Sequence, residues 1–125
     1  MAFRVIGWAA EVAGQIKGLH VRAEDIRLMA LIETPSECII PAGDIKPVLD
    51  EIHYLQHGAA EVAQLDWLIG YYNSGLKQYI DREHQSVDGG ILDILLKQIE
   101  RMHNLSLELM QHLKPVIGRG MKNNR

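Results

Sequence analysis

The sequence predicts an all-α protein: a small bundle of three to five helices built on a long antiparallel helical hairpin. Three observations lead there. Between Gly90 and Lys114 the apolar residues Leu92, Leu95, Ile99, Met102, Leu109 and Leu113 recur at alternating steps of three and four, with Ser106 at the skipped step. That is a helical seam close to the heptad period. A second run, from Ile45, Val48 and Leu49 through Val62, Ile69, Tyr72 and Leu76 to Tyr79, keeps the same spacing. Finally, aromatics make up only 6% of the 125 residues, with a single Phe, so Leu, Ile, Val, Ala and Met must fill the core. Such a balance suits helices better than sheets.

The length fits one domain able to bury most of its apolar surface without metal or disulfide. Residues 1–114 are expected to form it. The first helix is predicted from Arg4 to Lys17, where Val5, Trp8, Ala9, Val12, Ala13 and Ile16 share a face and Gly18 ends it. Ala23 to Glu33 reads as a second, short helix with Asp25 near its start. The alternative is a short strand pair near 27–40, in which Ile26–Ile32 and Glu37–Ile40 flank Thr34-Pro35-Ser36. The helix is preferred.

The middle segment opens at Asp44, a good N-cap, with Pro47 tolerated in the first turn. It reads as one long, kinked helix to about Arg82, with a break at Gly58 or Asn73 as the alternative. A short Asp/Gly-rich connection then leads into the last helix, so the two should lie antiparallel. That helix would run about 35 Å, from Gly90 to Lys114, where Pro115 stops it. Residues 115–125 are left as a basic, flexible C-terminal tail. The short echo of Ala9–Ala13 in Ala59–Ala63 reads as two similar helix faces rather than a repeat.

Charge narrows the partners. Lys114, Arg119, Lys122 and Arg125 have no acid among them, so with a net charge of −3 the remainder stands at −7. An acidic body argues against nucleic acid except through the basic tail. No apolar run approaches the ~18–20 residues of a membrane span, and Glu11 interrupts the first one too early for a secretory signal. Cys38, the single cysteine, excludes an internal disulfide and fits a reducing, cytoplasmic setting. Flanked by Ile39 and Ile40, it reads as a small core residue.

Six histidines carry most of the candidate chemistry. His53 and His57 stand at i and i+4, and Glu61 continues that line, a set able to ligate zinc on one helix face. Tyr54-Leu55-Gln56 between them lacks the glutamate of an HExxH protease helix. Carboxylate-x-x-His pairs occur at Asp50…His53, Asp81…His84 and Glu100…His103, but a di-iron bundle needs two Glu-x-x-His pairs and two further Glu residues. His112-Leu113-Lys114-Pro115 resembles in part the His-x-x-Lys-Gly pattern of histidine phosphotransfer domains, with the lysine two residues after the histidine. His103-Asn104-Leu105 is similar to a histidine-kinase phosphoacceptor helix, without the proline-containing turn that follows there. That resemblance makes His103 and His112 candidate phosphoacceptors. No nucleophile elbow, P-loop or dinucleotide fingerprint occurs, and no catalytic residue is assigned.

Trp67, Tyr71 and Tyr72 complete the inventory. With Leu68 and Ile69 they spread large side chains around nearly the whole circumference of one helix, so some must meet a partner or solvent. The expected function is a non-enzymatic protein-interaction module, a small cytoplasmic adaptor, regulator or inhibitor without cofactor. Its partner would be another protein or a second copy in a homodimer. A histidine site for metal or phosphotransfer is the alternative.

Overall fold

The computed structural model describes residues 3–82 and 89–123. Five helices appear in order: α1 (Phe3–His20), α2 (Glu24–Glu33), α3 (Lys46–Glu51), α4 (Ala59–Asp81) and α5 (Gly89–Asn123). Short 3-10 turns occupy Pro35–Cys38 and Ile52–Tyr54. Among the described residues no strand forms. Helix α5 is the element against which both α1 and α4 pack, and α2 also reaches it.

Helix α1 buries Val5, Trp8, Ala9, Val12, Ile16 and Leu19. It continues through Gly18 instead of ending there. An internal glycine costs about 1 kcal/mol against alanine, whereas burying Leu19 one residue later returns about 2 kcal/mol. Lys17 and His20 in the last turn suit the negative end of the helix dipole. The first turn of α1 has no acid of its own. Glu51 supplies one from the end of α3: its Oε2 accepts the amides of Arg4 at 2.9 Å and Val5 at 3.4 Å. At the other end, Arg27 of α2 donates to the His20 carbonyl at 2.7 Å.

The strand pair near 27–40 is replaced by α2, a 3-10 turn and one extended stretch. Thr34 bonds back to the Ala30 carbonyl through its amide at 2.8 Å and its hydroxyl at 3.2 Å, and Pro35 then opens the 3-10 turn. The backbone beyond it is satisfied by side chains rather than by a neighbouring strand. Asn73 accepts from the Ile40 amide at 2.9 Å and donates to the Ile40 carbonyl at 2.7 Å. Tyr72 donates to the Cys38 carbonyl at 2.8 Å, and Trp8 to the Ala42 carbonyl at 3.1 Å. Residues 38–42 are thus tied to α4 on one side and α1 on the other.

The long middle helix is corrected to two. Asp44 accepts the Lys46 amide at 3.0 Å and α3 follows, but it lasts only to Glu51. The chain turns through Ile52–Tyr54 and re-enters helix after Gly58, whose φ of +102° belongs to the left-handed region that favours glycine. The break therefore falls at Gly58. Helix α4 then runs unbroken past Gly70, Asn73 and Gly75, burying Val62, Leu65, Leu68, Ile69, Tyr72 and Leu76.

Helix α5 buries Leu92, Leu95, Ile99, Met102, Leu109 and Leu113, as its seam predicts. Ser106 is buried with them, its hydroxyl donating to the His103 carbonyl at 2.8 Å. Pro115 does not end the helix, which continues to Asn123. It sits on the exposed side, where the Gln111 carbonyl it leaves without an amide partner can meet water, and Val116 beside it packs on the core. The residues expected as a separate tail therefore begin as part of α5. The Asp/Gly-rich connection lies outside the described residues. On the facing sides of α4 and α5, Glu61 meets His112, and Gly75 faces Leu95.

Candidate functional site

Two places bring the candidate residues together, both on α4 and α5. On the outer side of α4, Trp67 and Tyr71 stack with ring centroids 5.3 Å apart and planes within 14° of parallel. They are 63% and 56% exposed. Tyr72 does not join them. It lies fully buried, with Ile69 three residues before it and Leu76 four after on the same buried face. Burial, then the nearby Cys38, pushes its phenol well above the usual tyrosine range. Tyr72 is thus a core residue and no part of an exposed partner surface.

The exposed aromatic pair borders two open depressions between α4 and α5. One, of about 350 Å³, is lined by Ala63, Gln64, Trp67, Leu68, Arg101 and Leu105. The other, of about 200 Å³, includes Tyr71, Gln78, Ile94 and Gln98. Ile94, Gln98, Arg101 and Leu105 follow steps of four, three and four along α5, one stripe of that helix. Trp67 and Tyr71 form the matching stripe of α4.

The second place lies where the start of α4 meets the later part of α5. His112 Nε2 stands 3.5 Å from Glu61 Oε1, their side chains 35% and 19% exposed. Donor atoms of Glu61, Glu108 and His112 all fall within 4.8 Å of one another. The His57 ring faces that of His112, with centroids 6.0 Å apart and planes inclined by 29°. His53 is not part of this group. It is exposed in the 3-10 turn, its ring tilted on that of Tyr54 at 4.0 Å. The one-helix arrangement of His53, His57 and Glu61 fails because the helix ends at Glu51, so the i, i+4 geometry never forms. The two instead meet a common neighbour, His112: His57 through its ring, from the loop before Gly58, and Glu61 through its carboxylate. Glu108 and His112, on α5, complete the group; their own i, i+4 spacing was the available signal in the sequence.

Neither candidate phosphoacceptor has the open surroundings that phosphotransfer needs. A phosphate approaching His112 would meet the carboxylates of Glu61 and Glu108. The ring of His103 is covered by that of His20, and its Nδ1 is buried without a hydrogen-bond partner. Asp50…His53 falls at the end of α3, and Asp81…His84 reaches outside the described residues. Cys38 is buried, and burial raises its thiol further from the thiolate that nucleophilic chemistry requires.

Comparison with protein-family models, with curated proteins and with solved structures finds no significant match to the chain.

Proposed function

We propose that this chain is a non-enzymatic protein-interaction module that works through the outer face shared by α4 and α5. One observation carries the reading: a stacked tryptophan–tyrosine pair held largely in solvent beside two depressions with apolar walls. Ordinary surface seldom concentrates such side chains, and aromatic anchors of this kind dominate binding energy at interfaces. The occupant that fits best is a second copy. In this reading α4 and α5 form an antiparallel hairpin, and two hairpins face to face complete a four-helix core.

The face also supplies its own complement. Gln64 and Gln78, both exposed, offer groups that both donate and accept, and Arg101 beside one Trp67 can stack on the indole of the other copy. A lone buried thiol suits a reducing cytoplasm, where the assembled dimer would act as a small adaptor, regulator or inhibitor.

The test is light scattering across a concentration series, with Trp67→Ala and Tyr71→Ala compared after circular dichroism has established that both fold. A dimer lost in the folded variants supports the proposal. A monomer at every concentration removes the homodimer. If affinity capture then also recovers no protein whose binding depends on Trp67, the interaction reading falls with it.

A further inference from the structure

Most of the polar contacts described so far tie backbone to side chains, whereas the group at the start of α4 gathers side chains alone. Two carboxylates, Glu61 and Glu108, converge there on one imidazole. No lysine or arginine among the described residues stands within ion-pair distance of either. Like charges at this separation repel unless a proton or a cation is shared between them. A proton on His112 would offset only one of the two.

The geometry fits a metal ion better than a simple ion pair. Zinc bonds of about 2.0–2.1 Å at the tetrahedral angle place neighbouring donors roughly 3.3 Å apart. His112 Nε2 and Glu61 Oε1 are already 3.5 Å apart. Glu108 lies one turn before His112 on α5, with its donor atom within 4.8 Å of the other two, and its exposure leaves the side chain room to move inward. A second imidazole stands just outside this group, the His57 ring centroid lying 6.0 Å from that of His112. The loop that carries it is held close, since a Cβ built on Gly58 would lie 3.3 Å from His112 Cβ. Because His57 is exposed, its ring can turn its nitrogen inward at little cost. Mixed imidazole and carboxylate donors in a four-coordinate set select zinc over calcium or magnesium, which prefer oxygen ligands alone and higher coordination.

We propose that His57, Glu61, Glu108 and His112 form a zinc site that staples the loop before α4, the first turn of α4 and the later part of α5. The ion replaces a repulsive pair of carboxylates with shared ligands and locks the break between α3 and α4. This site is separate from the Trp67–Tyr71 face and does not depend on it.

The test uses the full chain, freed of any histidine tag and of metal, titrated with zinc chloride by calorimetry. Cobalt(II) absorption reports the coordination geometry. The expected result is one equivalent bound, a tetrahedral cobalt spectrum, and a rise in melting temperature on adding zinc. Glu61→Gln and Glu108→Gln preserve size and helical propensity, so they test ligation without threatening the fold. Each of these, and His112→Ala, should weaken zinc binding on the order of 100-fold, and His57→Ala about tenfold. The absence of stoichiometric binding would overturn the site, as would binding that the folded variants leave unchanged. A six-coordinate cobalt spectrum would overturn the four-ligand arrangement.

Discussion

The imidazole of His103 lies against that of His20, with ring centroids 3.8 Å apart and planes within 9° of parallel. His20 Nε2 is 2.8 Å from Glu100 Oε2, while His103 Nδ1 is buried without a partner. Burial first, then the charge of His20, holds His103 below its ordinary value of 6.5, and Lys17 acts in the same direction. Glu100 works against them. The unfolded chain therefore takes up a proton at a pH where the folded one still refuses it. Stability from this residue is intact above 6.5, and is lost as pH falls through that value to the lowered folded one. Urea unfolding at pH 7 and pH 5 should show a smaller loss in His103→Gln than in the parent. Equal losses would contradict the assignment.

Tyr72 and Asn73 hold the backbone of residues 38–40 through three hydrogen bonds of 2.7–2.9 Å. Tyr72→Phe keeps the ring and its packing but leaves the Cys38 carbonyl without its donor. The expected cost is about 1–3 kcal/mol, read from the shift in denaturant midpoint at unchanged m-value.

Two glycines of similar composition should respond with opposite signs. Gly58→Ala forces a side chain into φ +102° and brings its Cβ to 3.3 Å from both His112 and Leu109. A loss of about 1–3 kcal/mol is expected. Gly70 lies within α4 with nothing near its Cβ position. Gly70→Ala should stabilise by up to about 1 kcal/mol. Paired thermal melts decide the matter.

Pro115→Ala restores an amide donor inside α5 at an exposed position. Helical content by circular dichroism should rise slightly, and stability should increase by up to about 3 kcal/mol, the interior proline penalty. A decrease would mean that Pro115 ends the helix after all.

What could be read from the sequence was what local spacing controls. The buried faces of α1 and α5 follow from steps of three and four, and so does the core position of Tyr72. The same wheel places it with Ile69 and Leu76 and sets Trp67 and Tyr71 together on the other side. Grouping the three aromatics by nearness in sequence obscured that division. A break at Gly58 stood among the alternatives because glycine favours it, but the end of α3 at Glu51 could not be read locally, since Glu51 bonds the first amides of α1 from far away in the chain. Pro115 was misjudged for a similar reason. Whether proline ends a helix depends on what the following turn can bury, and Val116 finds the core. Of the charged group at the start of α4, the sequence marks His57 and Glu61 as metal ligands and His112 only as a phosphoacceptor, while Glu108 and the convergence of the group depend on the packing of α4 on α5.

Residues 38–42 have no regular structure of their own, yet Trp8 grips them from α1 and Asn73 from α4. Pulling α1 away would strip the Ala42 carbonyl of its partner, and pulling α4 away would strip the Cys38 carbonyl and both polar groups of Ile40. A segment anchored on both sides is expected to open only together with the helices that hold it. The Ile40 amide, though it sits in a loop, should exchange its hydrogen as slowly as the amides at the centre of α5.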